Sequence, residues 1–286
     1  MNRDTIAYQG ISGAFSEQAA RGFSDGDAEF LPCPRFEDLF DAVCSGRARK
    51  GVVPIENTLA GSVHACYDLL AKHSVAVVAE AVLRIAHALI APPGVARESI
   101  HRVLSHPMAL LQCEGFFRQN PGIEAVAVQD TAAAVKEVAC GGRGDSAAIA
   151  SPRAAEAYGG VVLAENLEDD PMNFTRFLLI ARPEDRPAGG DGDSRSLKAS
   201  LLFRLENRPA ALFECLRPFA QRGINLTKIE SRPVRGSRFE YLFYLDALVR
   251  PGRAADLDGA VRALALCSTD LRLLGIYPAV EGATPL

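Results

Sequence analysis

A polar segment late in the chain constrains the fold more than any other feature of the sequence. Arg182–Ser196 has the sequence RPEDRPAGGDGDSRS and contains no apolar residue larger than alanine. Such a stretch buries too little apolar surface to offset the entropy lost on ordering it, which is typical of a linker. The sequence therefore predicts two folded parts, 1–182 and 197–286, joined by a linker at 183–196.

The part before the linker alternates short β-branched segments with amphipathic helices. Thr5–Tyr8 and Val52–Val53 are predicted strands, the second ending at Pro54, and apolar residues at helical spacing predict a helix over Phe36–Val43. Ser62 is the predicted N-cap of a further helix. Strands that alternate with helices at this spacing predict an α/β fold with mostly parallel sheets, covered by helices on both faces.

The part after the linker has the order strand, helix, strand, strand, helix, strand. The predicted elements are a strand at Leu201–Leu205, a helix from Pro209 to Gly223, strands at Leu226–Ile229 and Tyr241–Leu248 on either side of a turn at Gly236 and Ser237, a helix at Leu257–Leu266, and a strand at Leu271–Tyr277. This βαββαβ order is the ferredoxin-like arrangement. A unit this small commonly covers a sheet face or edge by pairing with a second copy, so we predict a homo-oligomer, either a dimer or a tetramer.

Charge and cysteine pattern exclude several functional classes. The formal net charge of -4, without a basic cluster, argues against nucleic acid as a partner. No stretch approaches the ~20 apolar residues that cross a bilayer, and the N-terminus shows no apolar signal segment, so we expect a cytoplasmic protein without a membrane partner. The 7 cysteines and 5 histidines lack metal-ligand spacing, so the sequence predicts neither a metal nor a cofactor.

Four short polar segments follow predicted strands, at the edge where open α/β sheets bind ligands. They are GISGAFS at 10–16, PIENT at 54–58, SHP at 105–107 with Gln112 on the next helix, and NFTRF at 173–177. Side chains alternate along a strand, so Thr175 is expected to share a face with Asn173 and Phe177. Phe174 and Arg176 are expected on the opposite face. Each segment taken alone also fits a purely structural turn or strand.

Taken together, these segments resemble the prephenate dehydratases. The matching stretches, in the family's order and at compatible spacing, are AYQGISGAFSEQAA, VVPIENTLAGSVHACYDLL, SHPMALLQC, DTAAA and NFTRF. After the linker, RPAALFECLRPFAQRGINLTKIESRP resembles the phenylalanine-binding ACT domain of those enzymes. The resemblance covers nearly the whole chain outside the linker and the tail. Plant arogenate dehydratases share the same motifs.

The resemblance implies a carbon–oxygen lyase that removes carbon dioxide and water from prephenate and releases phenylpyruvate. It also implies two α/β lobes of the type II periplasmic-binding-protein kind, with the active site in the cleft between them. Thr175 would act as general acid toward the departing C4 hydroxyl. The other implied catalytic residues are Glu56, Asn57, Ser105 and Gln112. The implied substrate-binding residues are Thr58, Asn173, Ser16 and Arg176, the last of these on a substrate carboxylate.

The resemblance further implies allosteric control by phenylalanine bound to the C-terminal part. The candidate residues are Ala210, Ala211, Leu212, Asn225, Leu226, Glu230 and Ser231. The family commonly has glycine where this chain has Ala210, so the backbone here approaches a bound amino acid less closely.

Two alternatives remain open at the level of sequence. Arogenate in place of prephenate would keep the mechanism and change one recognition contact. A cytoplasmic small-molecule sensor without catalysis would also fit a two-lobed fold with an ACT domain. A proton donor beside a polar pocket favours the enzyme over the sensor.

Overall fold

The computed structural model describes residues 4–24, 26–141, 144–186, 195–234 and 240–280, and it confirms the predicted α/β class. The elements up to residue 181 are β1 (Thr5–Gln9), α1 (Phe15–Gly22), β2 (Glu29–Cys33), α2 (Phe36–Cys44), β3 (Lys50–Asn57), β4 (Gly61–Ser62), α3 (His64–Lys72), β5 (Ala76–Arg84), β6 (Ala88–Ala91), β7 (Arg102–Ser105), α4 (Pro107–Leu111), α5 (Glu114–Gln119), β8 (Glu124–Ala127), α6 (Thr131–Cys140), β9 (Ser146–Ala150), α7 (Pro152–Tyr158), β10 (Val161–Ala164) and β11 (Phe174–Ala181).

The remaining elements follow the predicted βαββαβ order. They are β12 (Leu197–Leu205), α8 (Ala211–Gln221), β13 (Asn225–Pro233), β14 (Tyr241–Val249), α9 (Ala254–Cys267) and β15 (Asp270–Pro278). The predicted turn at Gly236 and Ser237 and most of the predicted linker lie outside the described residues. Within the described ranges, no helix is both long enough and apolar enough to cross a bilayer.

The first sheet has the strand order β2-β1-β3-β11-β5, with β4 paired to β3. Strand β3 continues through Pro54 to Asn57, so the prediction that it ends at Pro54 is wrong. Strand β1 pairs with β3 only at Lys50–Val52, and the missing N–H of Pro54 therefore breaks no ladder bond on that side. The predicted N-cap at Ser62 is also wrong, because Ser62 pairs with Glu56 in β4 and α3 begins two residues later.

The second sheet has the strand order β10-β6-β9-β7-β8 and is mixed. Strand β7 is parallel to β8 and β9, whereas β6 is antiparallel to β9 and β10. The prediction of mostly parallel sheets is therefore wrong for this sheet. Strands β9 and β10 are joined through α7 and form a crossover unit. Strand β6 lies between them in the sheet and is antiparallel to both.

The chain divides into two compact units. The first comprises Met1–Val63 and Ala81–Phe177, and the second comprises His64–Glu80 and Leu178–Thr284. Apolar residues of the first unit bury both faces of the second sheet: one cluster includes Ile90 and Val135, and another includes Leu89 and Ile149.

The second unit contains an antiparallel sheet with the order β13-β14-β12-β15. Helices α8 and α9 cover it through a core that includes Phe203, Phe219 and Leu264. Helix α3 also belongs to this unit, because Arg272 donates to the carbonyl oxygens of Ala71 and His73 at 2.8 and 2.9 Å. A helix from the first part of the sequence is thus packed with the C-terminal strands.

Candidate active site

A cavity of about 600 Å³ lies within the first unit. This volume is in the range of small-molecule sites. The lining residues are Gln9, Phe15, Arg35, Phe36, Glu37, Pro54, Asn57, Ala60, Val63, Ile85, His87, His106, Met108, Ala109, Gln112, Gln129, Asp130, Thr131, Thr175 and Phe177. Of these 20 residues, 9 are apolar and suit an apolar ring, and 11 are polar and can orient it.

The first turns of several helices face this cavity. Its lining includes Phe15 of α1, Arg35–Glu37 of α2, His106, Met108 and Ala109 of α4, and Asp130 with Thr131 of α6, each at the N-terminal end of its helix. N-terminal N–H groups lack intrahelical partners, and the helix dipole places partial positive charge there. The helix ends therefore favour an anionic ligand, whereas the carboxylates of Glu37 and Asp130 in the same lining oppose one.

A hydrogen-bonded group around Asn57 forms the polar wall. The side-chain oxygen of Asn57 accepts from the backbone N–H groups of Leu59 and Ala60, at 2.9 and 2.8 Å. Its amide nitrogen therefore donates, to Oδ1 of Asn173 at 2.8 Å and to Oγ1 of Thr175 at 3.0 Å. Because Thr175 accepts this bond, its own hydroxyl proton remains available for donation elsewhere.

The same group continues to Gln112 and His87. The amide nitrogen of Asn173, a fully buried residue, donates to Oε1 of Gln112 at 3.0 Å. Nε2 of His87 lies 3.0 Å from the same oxygen. Burial lowers the pKa of His87 below its ordinary value, although the bond to Gln112 and the charge of Glu168 oppose the shift. His87 is therefore neutral near pH 7.

The backbone around His87 is held by Glu168, a buried carboxylate that pairs with the partly exposed Arg84. Glu168 pairs with Arg84 at 2.7 Å, and its second oxygen accepts from the backbone N–H of His87 at 2.8 Å. The backbone N–H of Leu167 donates to the His87 carbonyl oxygen at 2.9 Å. These contacts position the three-residue link between β5 and β6, which lies on the cavity wall.

Some predicted site residues meet at this wall. Asn57, Gln112 and Thr175 line the cavity. Asn173 is outside the lining and forms hydrogen bonds with Asn57 and Gln112. Thr175 and Phe177 share the cavity face, as the strand alternation predicts.

Other predicted site residues lie outside the described lining. Ser105 is fully buried and donates its hydroxyl to the Ile149 carbonyl oxygen at 2.5 Å. Thr58 donates to the Met172 carbonyl oxygen at 2.6 Å and ties its loop to the start of β11. Three more predicted residues are absent from the lining, namely Ser16, Glu56 and Arg176.

Sequence reasoning missed His87, Arg35 and Asp130. His87 and Arg35 belong to none of the motifs that carried the resemblance, whereas Asp130 begins the DTAAA stretch. Oδ1 of Asp130 caps α6 by accepting from the backbone N–H of Ala133 at 2.9 Å. Among the described residues, its other oxygen has no hydrogen-bond or ion-pair partner. Gly10, with φ of 109°, leaves room beside that oxygen.

No group of three or more histidine, cysteine, aspartate or glutamate side chains in the described part of the chain is arranged to hold a metal ion. The polar wall consists mainly of amides, a hydroxyl and a neutral imidazole. These groups donate and accept hydrogen bonds, and they suit proton transfer and anion recognition.

The candidate effector residues lie in the second unit. Ala210 is the N-cap of α8 and adopts a left-handed backbone with φ of 64°. Asn225 and Leu226 begin β13, beyond the other end of this 11-residue helix. Glu230 pairs with His64 at 3.3 Å and with Lys228 at 3.5 Å, whereas Ser231 is exposed.

Comparison with known proteins identifies a family. Residues 6–185 match the family model described as "Prephenate dehydratase". The chain is 43% identical over 287 residues to "Arogenate dehydratase/prephenate dehydratase 2, chloroplastic" of Arabidopsis thaliana, an alignment that covers 97% of this chain and 73% of that protein.

Solved structures share the fold, and one of them carries the same family name. Prephenate dehydratase from Arthrobacter aurescens in complex with L-Phe has a TM-score of 0.85 at 32% identity, covering 98% of this chain and 93% of that chain. GqqA, described as a novel type of quorum quenching acylase, has a TM-score of 0.84 at 35% identity, covering 97% of this chain and 98% of that chain.

Proposed function

Because the chain belongs to the prephenate dehydratase family, whose members are carbon–oxygen lyases, we propose that the cavity binds prephenate and converts it to phenylpyruvate, carbon dioxide and water. The observation that carries this proposal is Thr175 on the cavity wall, with its hydroxyl oxygen held by Asn57 at 3.0 Å. A proton donor fixed in this way beside an anion-binding cavity is what loss of a hydroxyl group requires.

The proposed reaction needs orientation and one proton transfer. Prephenate carries two carboxylates, and the N-terminal ends of α1 and α2 would stabilise this charge together with Arg35, whose guanidinium also pairs with Asp38 at 2.9 Å. As the C1 carboxylate leaves as carbon dioxide, its bonding electrons aromatise the ring and expel the C4 hydroxyl. Thr175 would donate its proton to that hydroxyl, which leaves as water.

Asn57 would make Thr175 a better acid. Its amide N–H donates to Oγ1 of Thr175, and this bond stabilises the alkoxide that proton donation leaves behind. The alkoxide regains its proton from water after product release. Phe15, Phe36 and Phe177 would surround the ring and exclude solvent during the reaction.

The direct test is turnover of the purified protein with prephenate and with arogenate, measured side by side. Formation of phenylpyruvate from prephenate supports the proposal. Absence of turnover with both substrates would favour a sensor without catalysis.

One observation favours arogenate as a second substrate. Arogenate carries an ammonium group where prephenate has a keto oxygen, and an ammonium requires an acceptor. Asp130 offers a carboxylate oxygen that no described residue occupies. The other lining carboxylate, Glu37, is more exposed and would bind an ammonium more weakly.

Asp130→Asn should therefore lower kcat/KM for arogenate by about tenfold or more, the scale of a lost charged hydrogen bond, and should not lower it for prephenate. Asparagine caps a helix as well as aspartate, so α6 is preserved. The measurement is kcat/KM for both substrates, with Glu37→Gln as the matched control. Equal losses for the two substrates, or a larger change in their ratio in Glu37→Gln, would contradict the role of Asp130.

We further propose that the chain is organised as expected from the resemblance. Residues 1–182 would form two lobes of the type II periplasmic-binding-protein kind. One lobe would be built on the first sheet, and the other on the second sheet. Residues 183–196 would be a linker, and 197–286 an ACT domain, which the βαββαβ order supports. A cytoplasmic location stays a prediction.

Phenylalanine is the proposed effector of the ACT domain. Helix α8, about 16 Å long at 1.5 Å per residue, separates Ala210–Leu212 from Asn225–Leu226 within one chain. One copy therefore cannot surround a small amino acid with both segments, whereas two paired copies can. This separation supports a homo-oligomer.

Ala210→Gly should raise the free energy of unfolding by about 1 kcal/mol, because a left-handed backbone costs alanine ~1–2 kcal/mol and costs glycine little. Removing the methyl group should also let phenylalanine bind more tightly. Chemical denaturation and calorimetry measure the two effects. Ala263→Gly is the matched control: Ala263 lies in the interior of α9, where glycine should destabilise by ~1 kcal/mol. A stability change of the same sign in both variants would contradict the explanation.

A further inference from the structure

His87 belongs to none of the recognised motifs, yet the structure holds it firmly on the cavity wall. The residue is 2% exposed, its backbone is fixed on both sides by the 167–168 segment, and its ring meets the Phe15 ring edge-on at 5.6 Å. Within the described part of the chain, its one polar side-chain contact is with Oε1 of Gln112. The direction of that hydrogen bond decides what Gln112 can offer a ligand.

The direction follows from the rest of the polar wall. Two backbone N–H groups make Oδ1 of Asn57 an acceptor, so its amide nitrogen donates to Asn173. Asn173 must then use its own amide nitrogen toward Gln112, which makes Oε1 of Gln112 an acceptor. Nε2 of His87, facing the same oxygen, can only donate.

The opposite tautomer is disfavoured for a second reason. A proton on Nδ1 would be buried without an acceptor, because Nδ1 has no hydrogen-bond partner among the described residues. The lone pair of Nε2 would also face the lone pairs of the Gln112 oxygen. Nδ1 is unpaired among the described residues in either form, whereas only the Nε2–H form makes the hydrogen bond to Gln112, so the Nε2–H form is preferred.

We propose that His87 is a positioning residue that holds Gln112 with its amide N–H groups directed at the substrate. With Oε1 of Gln112 bound by both Asn173 and His87, the donor end of the amide is the one left for a ligand, since it has no partner among the described residues. Two N–H groups suit a carboxylate or keto oxygen. A reversed amide would present its carbonyl oxygen to an anion. This role rests on the proposed function, in which the ligand is an anion.

The first test reads the tautomer directly and requires no turnover. Nitrogen-15 NMR of the wild-type protein labelled at histidine distinguishes a protonated Nε2 from a protonated Nδ1 by chemical shift, and His87→Gln assigns the signal. We expect protonated Nε2 and unprotonated Nδ1 at neutral pH. Protonation at Nδ1 would overturn the proposal, whether or not the enzyme acts on prephenate.

The second test asks whether His87 acts through Gln112. His87→Leu removes the donor and should raise KM for prephenate by about tenfold or more, with a smaller change in kcat. His87→Gln places an amide N–H close to the former Nε2 and should recover most of the loss. In a Gln112→Ala background, His87→Leu should have little further effect on kcat/KM, because the residue it positions is gone.

Two kinetic outcomes would overturn the proposal. One is an equal loss in His87→Gln and His87→Leu; the other is the same fold-change from His87→Leu in both backgrounds. Circular dichroism and the thermal midpoint check that each variant is folded, and if His87→Leu does not fold, His87→Asn replaces it in the cycle. Failure of the wild type to turn over prephenate would refute the proposed function and leave the NMR test of the tautomer standing.

Discussion

Replacing Thr175 by valine should reduce kcat for prephenate by about a hundredfold or more, the usual scale for a lost general acid. Valine keeps the β-branched shape that suits β11 and removes only the hydroxyl group. The C4 hydroxyl would then leave without a proton from the enzyme. KM should change less, because Thr175 contributes mainly when the bond to oxygen breaks. Steady-state kinetics on the purified variant measure both quantities.

The matched control is Thr175→Ser, which retains a hydroxyl within reach of Asn57. We expect this variant to keep most of the wild-type kcat. The valine variant loses one acceptor for the Asn57 amide, but that nitrogen still donates to Asn173 at 2.8 Å and to the Phe174 carbonyl oxygen at 3.1 Å. A folded valine variant with near wild-type kcat, or a serine variant as slow as valine, would rule out Thr175 as the acid.

The strand carrying Thr175 shows what sequence can establish about the site. Period-two alternation places Thr175 with Phe177 and opposite Arg176, and both Thr175 and Phe177 line the cavity. The family resemblance instead implies a substrate contact for Arg176, which is absent from the lining. A substrate contact for Arg176 stays a prediction, since strand alternation gives only the direction of a side chain.

Other features of the site depended on contacts between distant segments. Ser105 ends a strand as expected, but its direction is decided by the Ile149 carbonyl oxygen on a neighbouring strand. His87 is placed at the site by its hydrogen bond to Gln112 and by the contacts of its backbone with the 167–168 segment. Periodicity describes one element at a time, so it located the strands and the helices and missed these pairings. The mixed strand directions of the second sheet were not predicted for the same reason, because the order of strands in a sheet depends on contacts between distant segments.

The second unit contains a buried ion pair whose loss should strongly reduce stability. Nζ of Lys198 on β12 donates to both carboxylate oxygens of Glu80, at 2.7 and 2.9 Å. The side chains are only 11% and 1% exposed, respectively. The backbone N–H of Val280 also donates to this carboxylate. Nothing in the linear sequence predicts this pair, since its members are 118 residues apart.

Lys198→Met should therefore lower the free energy of unfolding by about 3–5 kcal/mol, because it removes the ammonium that donates to both oxygens of the buried Glu80 carboxylate. The control is Arg204→Met on the same strand, where the pair with Asp270 is 43% and 46% exposed and spans 3.5 Å. An exposed pair contributes about 0–1 kcal/mol, so this control should change stability little. Denaturant unfolding of the full-length protein measures both variants against the wild type.

A double variant separates the loss of a charge partner from the loss of packing. Adding Glu80→Gln to Lys198→Met removes the buried charge and keeps groups that can accept from the Val280 N–H. If uncompensated charge causes the loss, the double variant should be more stable than Lys198→Met alone, because replacing both members of a buried pair costs less than removing one. If the double variant is no more stable than Lys198→Met, the uncompensated charge is not the cause and the electrostatic explanation is wrong.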